Sequence, residues 1–183
     1  MSTGTERLRP LIRTRQYRHF TSEPVADDDL TALAEVARWS GSSRNTQPWR
    51  FIAVRDIPLI RQIAEAGEPQ TRALHTAMAA FAISLPIEES RAISHAYDDG
   101  RVAERVLVGA SMLGLGAGVT WVRSDVRQEI GDLLGVEEGR FVRTIMAIGH
   151  PSAEGRAPKS PPGKARLPLD ELLSWPPARK DDR

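Results

Sequence analysis

The sequence predicts one globular domain in which helices and strands follow each other along the chain. Its 183 residues are enough to bury one sizeable hydrophobic core. Of these residues 40% are hydrophobic and 27% charged, which is the balance of a folded protein. Between residues 27 and 148, segments with apolar residues at helical spacing alternate with short apolar runs bounded by turn residues.

The composition excludes several classes of function. Lys and Arg total 25 against 24 Asp and Glu, which argues against a nucleic-acid binder that works by neutralising phosphates. Cysteine is absent, so disulfides, thiolate metal sites and thiol nucleophiles are excluded. The first ten residues lack an apolar leader, and nowhere do about 18 apolar residues run together. We therefore expect a cytoplasmic protein without a membrane partner.

The first half of the chain begins with a basic segment, residues 12–21, which by itself fits a solvated face. Residues 27–29 are three aspartates at the start of a helical pattern that ends near Arg38. Acids in this position favour a helix start over a cation site. Residues 49–54 read as a strand, residues 58–67 as a helix that begins at a proline and ends at a glycine, and residues 72–78 as a short helical stretch.

The second half continues the alternation. Residues 79–85 and 141–148 are apolar enough for buried strands, and residues 119–122 for a further strand. Asp98 and Asp99 are predicted to cap the longest helix, and Ser124 to cap a helix that stops at Gly135. His75 and His95 have no partner at metal-ligand spacing, so no metal site is predicted.

Residues 41–49, Gly-Ser-Ser-Arg-Asn-Thr-Gln-Pro-Trp, form the most distinctive stretch. Hydroxyls and amides are packed between a helix pattern and a strand pattern, at a density typical of a ligand-binding loop. By contrast, the glycine run 114–118 follows a helix and precedes a strand, whereas a dinucleotide-binding fingerprint follows a strand and opens a helix. This run is therefore interpreted as a helix end and a tight turn.

From Pro151 onward the chain contains seven of its 13 prolines, which favours an extended arm over a packed unit. Lys164 and Arg166 lie two residues apart in this arm and point the same way on extended backbone. Together they could clamp an anion.

Five motifs in this order resemble the FMN-dependent nitroreductase family: residues 15–20, the loop at 42–49, Gly-Leu-Gly after the long helix, Ile-Gly-His-Pro after the last strand, and Lys-x-Arg-Leu-Pro in the arm. The resemblance implies a nitroreductase-like α+β fold, mainly an antiparallel sheet flanked by helices, over a single domain 1–183. It also implies a homodimer with two FMN sites at the subunit interface, and a C-terminal arm, 151–183, that wraps the partner subunit.

The resemblance further implies which residues hold FMN. Basic residues from both ends of the chain are expected at the phosphate, which needs several charge-assisted donors. The polar loop is expected at the flavin, commonly that of the partner, and Gln70 at the pyrimidine edge of the ring. The backbone near residues 118–121 is expected to pass the ring. The predicted cofactor-binding residues are Arg15, Gln16, Arg18, Ser42, Ser43, Asn45, Gln70, Gly118, Thr120, Lys164 and Arg166.

The sequence departs from the family pattern in two places. Thr14, Arg15 and Gln16 stand where members usually carry Arg-Arg-Ser, and Gly41 stands where many have proline. A neutral donor is worth about half a charge-assisted one. We therefore expect weaker FMN binding than in relatives with the usual motif.

The function implied is electron transfer from NAD(P)H through FMN to a small organic acceptor such as a nitroaromatic compound or a quinone. No catalytic side chain is expected, because the flavin carries the chemistry. Two alternatives stay open: a flavin-dependent dehydrogenase or oxidase of a peptide-derived or heterocyclic substrate, and a flavin-binding protein without turnover.

Overall fold

The computed structural model describes residues 3–161 and 163–176. In these ranges the chain forms one sheet of four strands in the order β1-β2-β4-β3, and every neighbouring pair is antiparallel. The strands are β1 (Arg50–Val54), β2 (Ala79–Pro86), β3 (Gly116–Trp121) and β4 (Arg140–Gly149). The α+β fold with an antiparallel sheet is confirmed.

Helices surround this sheet. Those of the described residues are α1 (Gly4–Arg7), α2 (Arg9–Arg13), α3 (Asp27–Arg38), α4 (Ile57–Ala66), α5 (Ala92–Met112), α6 (Arg127–Leu133), α7 (Ala153–Arg156) and α8 (Leu169–Leu172). The N-terminal halves of α3 and α4 follow the sequence closely: α3 has three acids in its first turn, and Asp56 caps α4 by accepting a hydrogen bond from Leu59 N.

The core lies on both faces of the sheet. Helices α3 and α5 cover one face, where Leu33 and Val106 pack with Phe81 of β2. Helices α4 and α6 cover the other face around Ile60 and Ile145. Because β2 is central and covered on both sides, seven of its eight residues are buried, which is why this strand reads as a continuous apolar run.

The predicted start of the longest helix is wrong. Helix α5 begins at Ala92, so Asp98 and Asp99 lie inside it and are buried instead of capping it. The cap predicted at Ser124 is also wrong: Ser124 opens a short 3-10 turn, its side chain caps nothing, and α6 starts at Arg127. In both places the residue type is common at helix starts, but the helix in the folded chain starts at another residue.

The glycine run contains both the turn and the start of a strand. Gly114 has a φ of 76°, the left-handed conformation that favours glycine directly after a helix. Strand β3 begins only two residues later, at Gly116, earlier than the apolar pattern indicated.

The N-terminal segment meets the start of the C-terminal arm directly after β4. Phe20 forms an isolated antiparallel bridge with Pro151, and Ser152 N donates to His19 O at 3.1 Å. The C-terminal arm continues with α7 and α8, and its side chains from residue 156 to residue 176 are exposed wherever they are described. No helix of the described residues is long and apolar enough to cross a membrane.

Candidate functional site

A basic cleft of about 670 Å³ lies where residues 12–18 face residues 155–166 of the arm. Five cationic side chains line it and no carboxylate does; the cations are Arg13, Arg15, Arg18, Lys159 and Arg166. Within the described part of the chain, none of the five forms an ion pair with a carboxylate. The cleft therefore offers concentrated positive charge to a polyanionic group.

Backbone contacts fix the N-terminal wall of this cleft against the open edge of β3. Tyr17 N donates to Ala117 O at 2.8 Å, and Val119 N donates to Gln16 Oε1 at 3.2 Å. Gly118 makes this approach possible, because a Cβ added there would lie 2.1 Å from Tyr17 O. Gln16 uses its oxygen in this contact and keeps its amide NH₂ as a donor.

Two of the predicted phosphate cations differ in how they are held. Arg15 donates to Arg156 O at 2.5 Å, and its guanidinium lies 5.0 Å from the centre of the Tyr17 ring. Arg166 donates to the neighbouring Ala165 O at 2.7 Å and to no other of the described residues. Arg15 is thus pre-positioned, whereas Arg166 is free to reach a ligand.

The cleft brings together four of the predicted cofactor-binding residues, Arg15, Gln16, Arg18 and Arg166, but Lys164 is not among the residues that line it. Lys159 and Arg13, which the sequence interpretation missed, line it instead. The only signal for them was their charge, in a segment where several cations follow each other.

The open edge of β3 presents different residues from those predicted. Backbone groups of Ala117 and Val119 point to this edge, so strand alternation turns those of Gly118 and Thr120 toward β4. Thr120 is 1% exposed, and its hydroxyl donates to Ile145 O at 2.6 Å. Because the Val119 N–H donates to Gln16, the Val119 carbonyl and the Trp121 backbone are the groups of β3 that can face a ligand.

Gln70 lies near the far end of the same edge, held by an arginine that follows β3. Arg123 Nη1 donates to Gln70 Oε1 at 3.2 Å, and it also contacts Glu68 O. Two further bonds of 3.0 Å join Arg123 to Asp125; they raise the pKa of Arg123 and lower the pKa of Asp125. Arg123 is a third cation that the sequence interpretation did not find, at the end of the strand pattern.

The polar loop at residues 41–49 is tightly structured. Gln47 N donates to Ser42 Oγ at 2.9 Å, and Asn45 N donates to Ser42 O at 3.0 Å. Ser43 N donates to both carboxylate oxygens of the buried Asp98, at 3.2 Å each. Ser42 and Ser43 thereby stabilise the conformation of the loop, while residues 44–47 remain exposed.

The same loop stores backbone strain. Arg44, Asn45 and Gln47 have φ angles of 53°, 55° and 48°, in the left-handed region that residues other than glycine rarely adopt. Such residues cost on the order of 1 to 3 kcal/mol each and persist where the surroundings enforce them. This strain adds a structural reason, independent of composition, to regard the loop as functional.

The basic cleft and the polar loop lie at opposite ends of β4. Arg140, the first residue of β4, donates to Pro48 O at 2.6 Å, and burial lowers the pKa of this arginine. Tyr17 contacts Ala117, which pairs with Ile148 near the other end of the strand. Eight residues of strand, roughly 26 Å, separate the strand positions Arg140 and Ile148. The predicted loop residues Ser42, Ser43 and Asn45 are not among the residues that line the cleft of their own copy.

A further titratable group lies under α5. Asp99 Oδ2 accepts from Thr144 Oγ1 at 2.7 Å, and its other oxygen has no partner among the described residues. Burial raises the pKa of Asp99 to about 6. This group faces the sheet and is separate from both the cleft and the loop.

Comparisons with known proteins agree with this geometry. Residues 12–80 match the sequence model of the Nitroreductase family. A protein of Archaeoglobus fulgidus that carries the provisional name NADH dehydrogenase/NAD(P)H nitroreductase is 27% identical over 155 residues, covering 81% of this chain and 87% of the relative.

Two solved structures share the fold. A provisionally named nitroreductase from Desulfovibrio desulfuricans, solved in complex with FMN, has a TM-score of 0.78 at 23% identity and covers 97% of this chain and 99% of its own. The FMN-dependent nitroreductase of Clostridium difficile has a TM-score of 0.71 at 22% identity, with 78% and 86% covered. This chain therefore matches the Nitroreductase family in sequence and has the nitroreductase fold, which confirms the resemblance that its motifs indicated.

Proposed function

We propose that this protein is an FMN-dependent oxidoreductase that transfers electrons from NAD(P)H through FMN to a small organic acceptor, such as a nitroaromatic compound or a quinone. The observation that carries the proposal is the basic cleft beside the open edge of β3. Its cations and the strained polar loop are the two halves of a flavin site, contributed by two copies of the chain. The names of the relatives, which include NAD(P)H nitroreductase and NADPH-flavin oxidoreductase, support the same reaction.

The residues of the cleft fit the phosphate end of FMN. A phosphate monoester carries a charge of roughly −1.5 to −2 at neutral pH and binds through several charge-assisted donors. Arg15, Arg18 and Arg166 provide them, and Lys159 takes the place expected for Lys164. The amide NH₂ of Gln16 supplies a neutral donor where relatives have a hydroxyl.

The edge of β3 fits the ring of the flavin. The Val119 carbonyl and the Trp121 backbone lie along this edge, and Gln70 with Arg123 lies at its far end. A cation at the pyrimidine end favours the reduced, anionic flavin over the oxidised one. When bound, FMN supplies the redox chemistry of hydride and electron transfer. The side chains bind it, orient it and adjust its reduction potential.

The polar loop completes the site from the partner subunit. Residues 42–47 do not line the basic cleft of their own copy, and we assign them to the flavin of the partner subunit, across a dimer interface. Tyr97 and Ile93 are exposed on α5, and Trp175 is exposed on the C-terminal arm. We assign these apolar groups to the same homodimer, in which the arm beyond Arg166, residues 167–176, wraps the partner; residues 177–183 lie outside the described ranges.

The visible absorption spectrum of the purified protein tests the cofactor. We expect a yellow protein, or a colourless one that takes up one FMN per chain, and bleaching under anaerobic NADH or NADPH. A protein that never takes up FMN would overturn the proposal. A flavoprotein that neither nucleotide bleaches would instead be the dehydrogenase or oxidase alternative.

Mixed dimers test the two-subunit site. One chain carries Arg15→Ala with Arg18→Ala, which removes cleft cations, and the other carries Asn45→Gly, which removes a loop amide but tolerates the positive φ. Each homodimer is expected to bind FMN weakly. The heterodimer regains one site in which both halves are intact, so it binds one FMN tightly per dimer. No recovery of tight binding would show that the loop serves its own subunit or no flavin.

A further inference from the structure

Two charged residues of α5 hold the polar loop in its strained conformation. Asp98 is 1% exposed, and its two oxygens share the Ser43 N–H at 3.2 Å. Arg101, one turn later on the same helix, donates to Gly41 O at 3.2 Å and lies 3.8 Å from Asp98 Oδ1. Asp98 thus binds a backbone N–H of the loop, and Arg101 binds a backbone carbonyl of the same loop.

This arrangement is informative because a buried carboxylate is costly. A carboxylate removed from water destabilises the fold unless charge and hydrogen bonds compensate it. Here the loop backbone and Arg101 compensate the Asp98 carboxylate. Helix α5 therefore stabilises residues 41–43, and these residues in turn stabilise the buried acid of α5. The residues that follow directly, Arg44 and Asn45, are the ones with positive φ.

We propose that Asp98, supported by Arg101, is a positioning residue for flavin binding and acts on the FMN of the partner subunit. It touches no flavin; it fixes residues 41–43 so that residues 44–47 are presented in one conformation before the cofactor arrives. A pre-organised loop pays no ordering cost on binding, which increases affinity. This inference rests on the proposed function of the polar loop.

The first experiment compares substitutions at two adjacent buried acids. Asp98→Ala is expected to weaken FMN binding about tenfold, the equivalent of roughly one hydrogen bond, and to change the visible circular dichroism of the bound flavin. Asp98→Asn keeps one acceptor for Ser43 N and should restore most of the affinity. Asp99→Asn is the matched control, since its bond goes to Thr144 and not to the loop. Titrations are made well below the unfolding temperature of each variant, so that lost stability alone does not change them.

The second experiment asks on which subunit Asp98 acts. A chain with Asp98→Ala is paired with a chain that carries Arg15→Ala and Arg18→Ala. The heterodimer is expected to recover one FMN site of wild-type affinity. If the Asn45→Gly heterodimer recovers a site and the Asp98→Ala heterodimer does not, Asp98 only supports its own fold and the inference is wrong. If the wild-type protein binds no FMN, the proposed function fails first, and the two failures are thereby distinguished.

Discussion

Replacing Gly118 with alanine tests how the basic cleft is built. The new Cβ would lie 2.1 Å from Tyr17 O, whereas carbon and oxygen in contact are ordinarily about 3.3 Å apart. Segment 15–18 must therefore move by about 1.2 Å. The shift strains two hydrogen bonds to β3, worth about 1 kcal/mol each, and adds an overpacking cost of about 1 to 3 kcal/mol. We expect the free energy of unfolding to fall by about 3 to 5 kcal/mol.

The same shift displaces Arg15 and Arg18 from the phosphate position, so FMN affinity should fall about tenfold or more. Urea denaturation measures the first effect, and quenching of FMN fluorescence on titration into the apoprotein measures the second. Gly131→Ala in α6 is the control, because its Cβ would lie an ordinary 3.8 Å from Val136 Cβ. There the helix should gain up to about 1 kcal/mol. A Gly118→Ala protein with wild-type stability and affinity would refute this account of the cleft.

Three further predictions concern the arm and the helix beneath the sheet. Arg166→Ala should weaken FMN binding by about 10- to 100-fold, the range of a lost charge-assisted bond, and Lys164→Ala by less than about threefold; the reverse order in fluorescence titrations would show that the arm takes a different path. Burial raises the pKa of Asp99 to about 6, so the folded protein keeps this proton at pH values where the unfolded chain has lost it. The free energy of unfolding should therefore fall by about 3 kcal/mol as the pH rises from about 4 to about 6. Urea titrations of Asp99→Asn should lack this pH dependence. A chain that ends at Arg166 should dimerise more weakly, and sedimentation that shows an unchanged dimer would exclude the part of the arm beyond Arg166 from the interface.

The sequence predicted the elements whose signals are local. Helices α3 and α4 were located correctly because a run of acids, a proline and a regular apolar stripe mark them. The first two turns of α5 were missed because Asp98 and Asp99 resemble a helix start, while their actual partners, Ser43 and Thr144, lie far away in the chain. A buried polar residue is explained only by its tertiary neighbours.

In the candidate site, too, some residues could be located from the sequence and others could not. Arg15, Arg18 and Arg166 could be placed from motifs, and the structure gathers them in one cleft. The exchange of Lys164 for Lys159 could not be foreseen, because a proline-rich arm has no periodicity that encodes its path. The positive φ of Asn45 was also invisible, since it depends on contacts that residues 41–43 make with α5.

The basic cleft has a consequence for the order in which the protein matures. Its two walls come from distant parts of the chain, as the bond between Arg15 and Arg156 across 141 residues shows. During synthesis the first wall leaves the ribosome early and has no counterpart until residues near 166 have been made. On the proposed function, flavin capture therefore follows the synthesis of both walls. Partial products and chains clipped in the arm should accumulate as colourless protein, even where their sheet has already formed.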